Sequence, residues 1–279
     1  MLSNSHKKKL LQILKEDIGQ KDVTSALLES TLGTAKIIAK ENATLSGIEE
    51  AIFLLEKQGC KVQVHAKNGE PIKQKQTIIT AFGKNKKILQ AERTVLNVLG
   101  RMSGIATICK KATKIANGKT KIYLTRKTAP GFNEFDKKAS LDGGAYPHRI
   151  NLEEMILIKD NHLEFESIET LLKKANKEKQ KTKTKKVEIE VENLNDAILA
   201  AKNKADIIML DNFSFENAKK TIRKIKKINP QIKIELSGGI NLNNLAQYSK
   251  LKPDLISMGQ LTKEAKMIDF SMEIKKATK

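Results

Sequence analysis

Six short apolar runs in the second half of this chain end on polar or glycine residues, and helical patterns lie between most of them. Such alternation predicts parallel strands joined by right-handed crossovers, whose carboxyl ends meet at one end of a barrel. The runs end at Leu124-Thr125-Arg126-Lys127, Leu157-Ile158-Lys159-Asp160-Asn161-His162, Ile189-Glu190-Val191-Glu192, Met209-Leu210-Asp211-Asn212, Leu236-Ser237-Gly238-Gly239 and Ile256-Ser257-Met258-Gly259. Cations come first and carboxylates later, which favours a pocket that binds an anion at one side and a metal-bound phosphate at the other.

The spacing of these runs sets the predicted fold of the second half. It predicts strands near 121–125, 154–158, 187–191, 206–210, 232–236 and 255–258, and helices near 164–178, 194–203, 214–228 and 241–248. Two strands, 155–158 and 207–210, are apolar on both faces, as in a sheet covered on both sides. Because the strands fall short of eight, we predict an α/β fold with an open (incomplete) α/β barrel. Flavodoxin-like layering is the structural alternative.

The first part of the chain mixes element types. We predict helices at 8–17, 51–57 and 86–101, strands at 35–40, 62–65 and 77–82, and a cap of the second helix by Ser46. The third helix carries Arg93. These elements predict an N-terminal α/β domain over 1–110 and a barrel domain over 111–279, whose C-terminal helix we expect to pack back on the first domain.

The formal net charge of +20 raises the question of nucleic-acid binding. Lysine makes most of the excess, densest at 173–186, and no aromatic cluster accompanies it to stack on bases. We therefore expect a solvated lysine-rich surface and no nucleic-acid partner. Because no stretch approaches the roughly 20 apolar residues of a membrane span and no secretion signal is visible, we expect no membrane partner and a cytoplasmic location. Cys60 and Cys109 are interpreted as reduced thiols, and no Cys and His spacing indicates zinc.

Cationic residues follow the early strands and predict an anion site. Arg126 and Lys127 sit at a strand end with Thr125 before a Pro-Gly turn, and the planar fork of arginine matches a carboxylate. His148 and Arg149 follow a glycine-containing loop and could face the same anion. Lys159 closes the next strand and, if it points inward, needs an anion or a carboxylate partner. A structural pair of Lys159 with Glu190 or with Asp211 is the alternative.

Carboxylates and glycines follow the later strands. Glu190 and Asp211 could hold Mg²⁺ beside a phosphate, directly or through water, or could be salt-bridge partners of Arg126 and Lys127. Ser237, Gly238 and Gly239 precede a predicted helix, where exposed backbone N–H groups bind anions. Gly259 at the next strand end could complete that anion site.

Together these segments resemble the quinolinate phosphoribosyltransferase family, the decarboxylating enzymes of NAD biosynthesis, over nearly the whole chain. The resemblance rests on Glu16-Asp17-Ile18-Gly19, Asp22-Val23-Thr24, Leu45-Ser46-Gly47, Ala91–Asn97, Ser103–Thr107, Thr125–Gly131, His148-Arg149, Leu157–His162, Glu188–Glu192, Leu210–Phe213 and Ser237–Ile240.

The resemblance implies an N-terminal α/β sandwich, an open α/β barrel and a homodimer, or a dimer-based hexamer, with a shared active site. It implies that Arg126, His148, Arg149 and Lys159 hold the two carboxylates of quinolinate, and that Arg93 reaches the pocket from the neighbouring subunit. It also implies that Lys127, Glu190 and Asp211, with the backbone at 237–239, hold phosphoribosyl pyrophosphate and its Mg²⁺.

Two positions depart from the family pattern. Ala145 stands where a third loop glycine is usual, which implies a stiffer loop or a less close backbone approach, and Lys263 stands where a histidine is often found. A nicotinate phosphoribosyltransferase or related barrel phosphoribosyltransferase is the near alternative, although three cations favour a dicarboxylate. A lysine-rich nucleic-acid-binding protein is the alternative from another class.

Overall fold

The computed structural model describes residues 2–118 and 120–277, which form two compact units. Unit 1 comprises residues 1–110, 134–144 and 264–279, and unit 2 comprises residues 111–133 and 145–263. The first division between the units lies at residue 110, and the later segments 134–144 and 264–279 group with unit 1. The domain bounds drawn from the sequence stay a prediction.

The described elements alternate along most of the chain. The strands are β1 (Leu32–Ala39), β2 (Ala43–Thr44), β3 (Lys61–Val64), β4 (Pro71–Ile72), β5 (Thr77–Lys84), β6 (Lys121–Leu124), β7 (Tyr146–Pro147), β8 (Ile156–Ile158), β9 (Val187–Val191), β10 (Ile207–Asp211), β11 (Lys233–Ser237), β12 (Leu255–Met258) and β13 (Phe270–Lys276). The helices are α1 (Asn4–Ile18), α2 (Ile48–Lys57), α3 (Asn85–Ala116), α4 (Asn133–Asp142), α5 (Asp160–Leu163), α6 (Ile168–Glu178), α7 (Leu194–Lys202), α8 (Phe215–Ile228), α9 (Leu245–Ser249) and α10 (Gln260–Lys263).

Unit 1 is built on a four-stranded antiparallel sheet in the order β13-β1-β5-β3. The expected C-terminal helix is wrong, because this segment is strand β13. Phe270, Met272 and Ile274 alternate with polar residues at the two-residue period of a strand, and all seven residues pair with β1. Helix α1 buries Leu10 and Leu14, as its sequence pattern predicted.

Helix α4 belongs to unit 1 because its charged residues have partners there. Asp136, whose side chain is fully buried, accepts two hydrogen bonds from Arg101 at 2.8 and 2.6 Å. Lys138 donates to the buried Glu50 at 2.8 Å. Such paired ions satisfy charges that would be costly alone in the interior. The sequence pattern predicted no helix here, because these partners are distant in sequence.

The predicted cap of α2 is also wrong. Gly47 occupies the N-cap with φ +97°, and the hydroxyl of Ser46 donates instead to the carboxylate of Asp142 at 2.5 Å. The backbone amide of Ser46 is also engaged, because it donates to the Ser103 hydroxyl at 3.0 Å.

Unit 2 contains a seven-stranded sheet in the order β7-β6-β12-β11-β10-β9-β8, and every described pairing in it is parallel. Strands β8 to β12 lie side by side in the order of the chain, and β6 and then β7 continue the sheet beyond β12. Only β7 and β8 lack a described pairing with each other, so the barrel is open between them. A doubly wound, flavodoxin-like sheet would instead reverse its strand order in the middle. The predicted open α/β barrel is confirmed.

The sequence of unit 2 explains where its helices begin and which side chains fill the barrel interior. Helices α6, α7 and α8 are capped at their N-termini by Ser167, Asn193 and Ser214, whose side chains accept hydrogen bonds from backbone N–H groups of the first turn. At one end of the barrel interior, Met155, Ile207 and Leu255 form an apolar cluster against Tyr123. Beyond this cluster, the carboxyl side chains of Glu190, Asp211 and Glu235 face the barrel interior alongside Leu157 and Met209.

The lysine-rich stretch at 173–186 is interspersed with ion pairs. Lys174, Lys179, Lys181 and Lys183 contact acidic side chains at 2.5–2.9 Å, as the pairs Lys174–Glu166, Lys179–Asp206, Lys181–Glu178 and Lys183–Glu154. Across residues 2–118 and 120–277, no helix is both long and apolar enough to cross a bilayer.

Candidate active site

A pocket of about 280 Å³ opens at the carboxyl ends of the unit 2 strands. Its lining consists of residues from the seven strands of the unit 2 sheet or from the segments that follow them: Thr125, Arg126, Lys127, His148, Arg149, Leu157, Lys159, Glu190, Met209, Asp211, Glu235, Ser237 and Ser257. Nine of the thirteen predicted site residues line this pocket. The structure therefore brings together the polar strand ends that the sequence pattern pointed to.

Sheet register explains why these side chains share one face. Glu190 pairs with Met209, and Met209 pairs with Glu235. One pleat further on, Asp211 pairs with Ser237. Because side chains alternate between faces with a period of two, these positions all point into the barrel.

Two arginines dominate the cationic side of the pocket. Arg149 donates to the backbone carbonyl of Met155 at 3.2 Å, but its buried Nε has no hydrogen-bond partner among the described residues. Burial, and then the charge of Arg126, lower the pKa of Arg149. An unpartnered guanidinium nitrogen beside a second cation is a costly arrangement that a bound anion would relieve.

Lys159 pairs with Glu190 in this structure. Of the two structural pairs weighed for Lys159, the one with Glu190 is present. The Lys159 side chain is 41% exposed and that of Glu190 only 9%. The lysine ammonium can therefore reach a ligand in the pocket, whereas Glu190 is held against the barrel wall.

Lys127 and Asp211 lie on the other side of the pocket. The backbone carbonyl of Lys127 accepts a hydrogen bond from Thr262 at 2.8 Å, and its amide donates to the Thr125 hydroxyl at 3.2 Å. Asp211 accepts from the Asn212 side chain at 2.7 Å. The alternative pairings of Glu190 or Asp211 with Arg126 or Lys127 are not among the ion pairs of the described residues.

The glycine turn after β11 has a specific steric cause. Gly238 has φ +76°, and a Cβ there would lie 2.3 Å from Oδ1 and 2.5 Å from the amide nitrogen of Asn212. Asn212 itself has φ +56°, and its amide donates to the carbonyl of Ser237 at 3.0 Å. Glycine is thus required where the two strand ends meet. The following helix, α9, begins only at Leu245, so the predicted helix start directly after the glycines is wrong.

Four predicted residues lie outside the pocket lining. Gly238 and Gly239 flank Ser237, and a Cβ on Gly259 would lie 3.5 Å from the Lys127 side chain, so these glycines border the pocket. Arg93 is an exposed residue of α3 in unit 1. Its predicted role in a neighbouring subunit stays a prediction.

The sequence reasoning missed two fully buried carboxyls, Glu188 and Glu235. His148 Nε2 lies 3.2 Å from Glu235 Oε2 and 3.3 Å from Glu188 Oε2. These three residues are the only group of three or more potential metal-ligating side chains found among the described residues. The available signal was the period-two pattern Glu188-Ile189-Glu190, which places two carboxyls on the inner face of one strand.

Protonation in this cluster follows from burial and contacts. Burial, and then the charge of Glu235, raise the pKa of Glu188 to about 8. Burial opposes the charged form of His148, but hydrogen bonds with Glu188 and Glu235 raise its pKa to about 10. The Arg149 amide, however, donates to His148 Nδ1 at 2.9 Å, and an imidazolium would place a second hydrogen in that contact. Both the charged ring and the neutral ring that accepts at Nδ1 carry a hydrogen on Nε2, which faces the two carboxyls.

Comparison with known proteins identifies the family. A family model described as the N-terminal domain of quinolinate phosphoribosyl transferase matches residues 22–103, and the corresponding C-terminal domain model matches residues 105–273. The chain belongs to the quinolinate phosphoribosyltransferase family. The resemblance drawn from the sequence motifs is thereby confirmed.

Relatives match over most of their length. The chain is 36% identical to the probable nicotinate-nucleotide pyrophosphorylase [carboxylating] of Methanocaldococcus jannaschii, covering 98% of this chain and 99% of that protein. It is 37% identical to the similarly named protein of Bacillus subtilis, covering 96% and 93%. The solved nicotinate-nucleotide pyrophosphorylase of Francisella tularensis has a TM-score of 0.90 at 33% identity, covering 99% and 98% of the two chains.

We predict that Gly238→Ala disturbs the pocket more than Gly239→Ala. Both glycines have positive φ, which costs an alanine about 1 kcal/mol, but a Cβ on Gly239 meets nothing within 4 Å. The Gly238 variant must also displace Asn212, which holds Asp211. Urea unfolding and steady-state activity should show a larger loss for Gly238→Ala. Equal losses in both variants would show that the contact with Asn212 is unimportant.

Proposed function

We propose that this pocket transfers the phosphoribosyl group of phosphoribosyl pyrophosphate to quinolinate with decarboxylation, giving nicotinate mononucleotide, pyrophosphate and CO₂. Family membership makes the chain a phosphoribosyltransferase of NAD biosynthesis. The observation that carries the site assignment is the convergence of Arg126, Arg149 and Lys159 on one pocket that also holds acidic groups. A dicarboxylate needs several cations, and its phosphoribosyl donor needs a phosphate site beside them.

We assign the quinolinate side of the pocket to Arg126, Arg149 and Lys159. The buried and unpartnered Nε of Arg149 is a donor waiting for an acceptor. Arginine can hold one carboxylate through two parallel hydrogen bonds, and lysine adds a compact charge. His148 lines the same pocket, but its ring nitrogens already contact Glu235, Glu188 and the Arg149 amide. We therefore assign to His148 mainly the role of positioning the cationic side of the pocket.

The phosphoribosyl pyrophosphate side is assigned to Lys127, Asp211, Glu190 and the backbone at Ser237, Gly238 and Gly239, with Gly259 next to Lys127. The carboxylates of Glu190 and Asp211 come from neighbouring strands and line one pocket. They provide the hard oxygen ligands that suit Mg²⁺, which takes one or two carboxylates together with substrate phosphates. When bound, Mg²⁺ would neutralise charge on the departing pyrophosphate.

Catalysis then rests on positioning and charge. Arg126, Arg149 and Lys159 orient quinolinate so that its ring nitrogen faces the anomeric carbon. As the bond to pyrophosphate breaks, positive charge develops on the ribose near Glu190 and Asp211, and negative charge develops near Lys127. The new pyridinium nitrogen then favours loss of the C2 carboxylate as CO₂, because the ring stabilises the electron pair left on C2. That carbon takes up a proton from solvent to give nicotinate mononucleotide. No nucleophilic side chain is required by this scheme.

The assembly part of the proposal concerns a second copy of the chain. The family resemblance implies a homodimer, or a dimer-based hexamer, in which Arg93 of the second copy completes the quinolinate side. Exposure of Arg93 on α3 is compatible with that role. We also propose a cytoplasmic location, as expected for an enzyme of this pathway.

The activity has a direct test. Purified protein with phosphoribosyl pyrophosphate and Mg²⁺ should release CO₂ and pyrophosphate in equal amounts with quinolinate, and neither at a comparable rate with nicotinate. The reason is that one carboxylate fewer leaves a cation of the pocket unpartnered. Faster pyrophosphate release with nicotinate would select the nicotinate enzyme instead.

We predict that Arg149→Ala weakens quinolinate binding by on the order of 2–5 kcal/mol, as expected for loss of one partner of a buried charge pair. Binding of phosphoribosyl pyrophosphate should change little, because its proposed contacts lie on the other side of the pocket. Calorimetry with each ligand separately measures both dissociation constants. Equal losses for the two ligands would refute the assignment of Arg149.

We predict that Asp211→Asn raises the Mg²⁺ concentration needed for half-maximal activity. The substitution keeps the shape of the side chain but removes a charge from the proposed metal side. Glu216→Gln, an exposed carboxyl removed from α8, is the matched control and should leave the Mg²⁺ requirement unchanged. An Mg²⁺ titration that superimposes for wild type and Asp211→Asn would exclude Asp211 from metal binding.

A further inference from the structure

Two fully buried carboxyls lie beneath the candidate pocket, and neither belongs to the residues assigned to the substrates. Glu188 and Glu235 project inward from β9 and β11, and both lie within 3.3 Å of His148 Nε2. Oε1 of Glu188 and Oε1 of Glu235 have no hydrogen-bond partner among the described residues, and Oε2 of Glu188 lies 3.3 Å from His148 Nε2. Burying carboxyl groups without hydrogen-bond partners lowers the stability of the fold, which indicates that these two residues have a functional role.

Geometry around His148 indicates what these carboxyls hold. The residue directly follows β7, an edge strand of the sheet, whereas Glu188 and Glu235 come from strands further along it. The ring therefore reaches across the barrel interior. At its other nitrogen, Nδ1 accepts the backbone N–H of Arg149 at 2.9 Å. Both ends of the imidazole are fixed, one by the carboxyls and one by the backbone of Arg149.

Arg149 in turn bridges the open side of the barrel. Its guanidinium donates to the carbonyl of Met155, which immediately precedes β8, the other edge strand. The same guanidinium lines the pocket with its Nε unpartnered. The direction of the Arg149 guanidinium therefore depends on the backbone segment that His148 holds in place.

We propose that Glu235 and Glu188 are positioning residues for quinolinate binding, which they support by holding His148 so that the Arg149 guanidinium faces the carboxylate site. This inference rests on the proposed function, because it names what fixes one side of that site. Glu235 makes the hydrogen bond to His148 and itself lines the pocket. We therefore expect it to contribute more than Glu188.

The same three side chains could instead ligate a metal ion, and the contact at Nδ1 argues against this. A ligating imidazole uses a bare nitrogen toward the metal and normally donates from the other nitrogen. Here Nδ1 accepts a hydrogen bond, so the hydrogen resides on Nε2, between the ring and the carboxyls. That tautomer supports a hydrogen-bonded cluster at this position.

Calorimetric binding of quinolinate and of phosphoribosyl pyrophosphate to Glu235→Gln tests the inference. We expect quinolinate affinity to fall about tenfold, in the range seen when groups that orient a ligating side chain are removed, and phosphoribosyl pyrophosphate affinity to change less than twofold. In the Arg149→Ala background the same substitution should cause no further loss, because its effect passes through Arg149.

Asp206→Asn is the matched control for a purely structural effect. Asp206 accepts the backbone N–H of Val187 at 2.8 Å at the start of β9 and pairs with Lys179, away from His148. Its substitution should lower the unfolding temperature and leave quinolinate affinity unchanged. If Glu235→Gln does not fold, His148→Gln, which keeps a donor for Glu235, should retain more quinolinate affinity than His148→Leu.

Several results would overturn the inference. Unchanged quinolinate affinity in Glu235→Gln, equal losses for both ligands, or full additivity with Arg149→Ala would each do so. A stoichiometric metal in the purified wild type that is lost in Glu235→Gln would replace it with a metal site. Failure of the wild type to bind quinolinate would overturn the proposed function and this inference together, whereas normal wild-type binding with an unaffected Glu235→Gln overturns the inference alone.

Discussion

The contact of His148 with Glu188 and Glu235 is the interaction on which the arrangement of the barrel site depends. The seven-stranded sheet closes through every described neighbouring pair except β7 and β8, so backbone hydrogen bonds do not fix the two edges to one another. His148 and Arg149 supply side-chain contacts there instead, to the barrel interior and to the carbonyl before β8. The open side of the barrel and the cationic side of the pocket are thus built from the same two residues.

Charge balance explains why a site of this kind suits an anionic substrate. Arg126 lies close enough to Arg149 for its charge to disfavour the charged form of the Arg149 guanidinium. Lys159 forms an ion pair with Glu190. A carboxylate entering between these cations gains hydrogen bonds and also removes their mutual repulsion. Under the proposed function, a carboxylate that binds Lys159 would compete with Glu190, so we expect the ion pair between these residues to link the two sides of the pocket.

Sequence reasoning succeeded where a rule of local geometry applied. Polar residues at the carboxyl ends of parallel strands converge, and this alone placed Arg126, Lys159, Glu190 and Asp211 in one pocket. It failed where a residue depends on partners distant in the chain. Helix α4 is held by Arg101, and the hydroxyl of Ser46 is taken by Asp142 rather than by its own helix. The carboxyls of Glu188 and Glu235 were overlooked because they lie one pleat before the strand ends, where apolar residues are the usual expectation.

The departure at Ala145 shows which glycines the fold requires. Ala145 is buried and is absent from the residues with positive φ, so its backbone is of a kind that any residue adopts. Its two neighbours are constrained: Gly144 has φ +80°, and a Cβ on Gly143 would lie 2.4 Å from the carbonyl oxygen of Ala106. Only these two positions need glycine for conformation or space. An alanine at the third position therefore leaves the path of the chain into β7, and hence the placement of His148 and Arg149, unchanged.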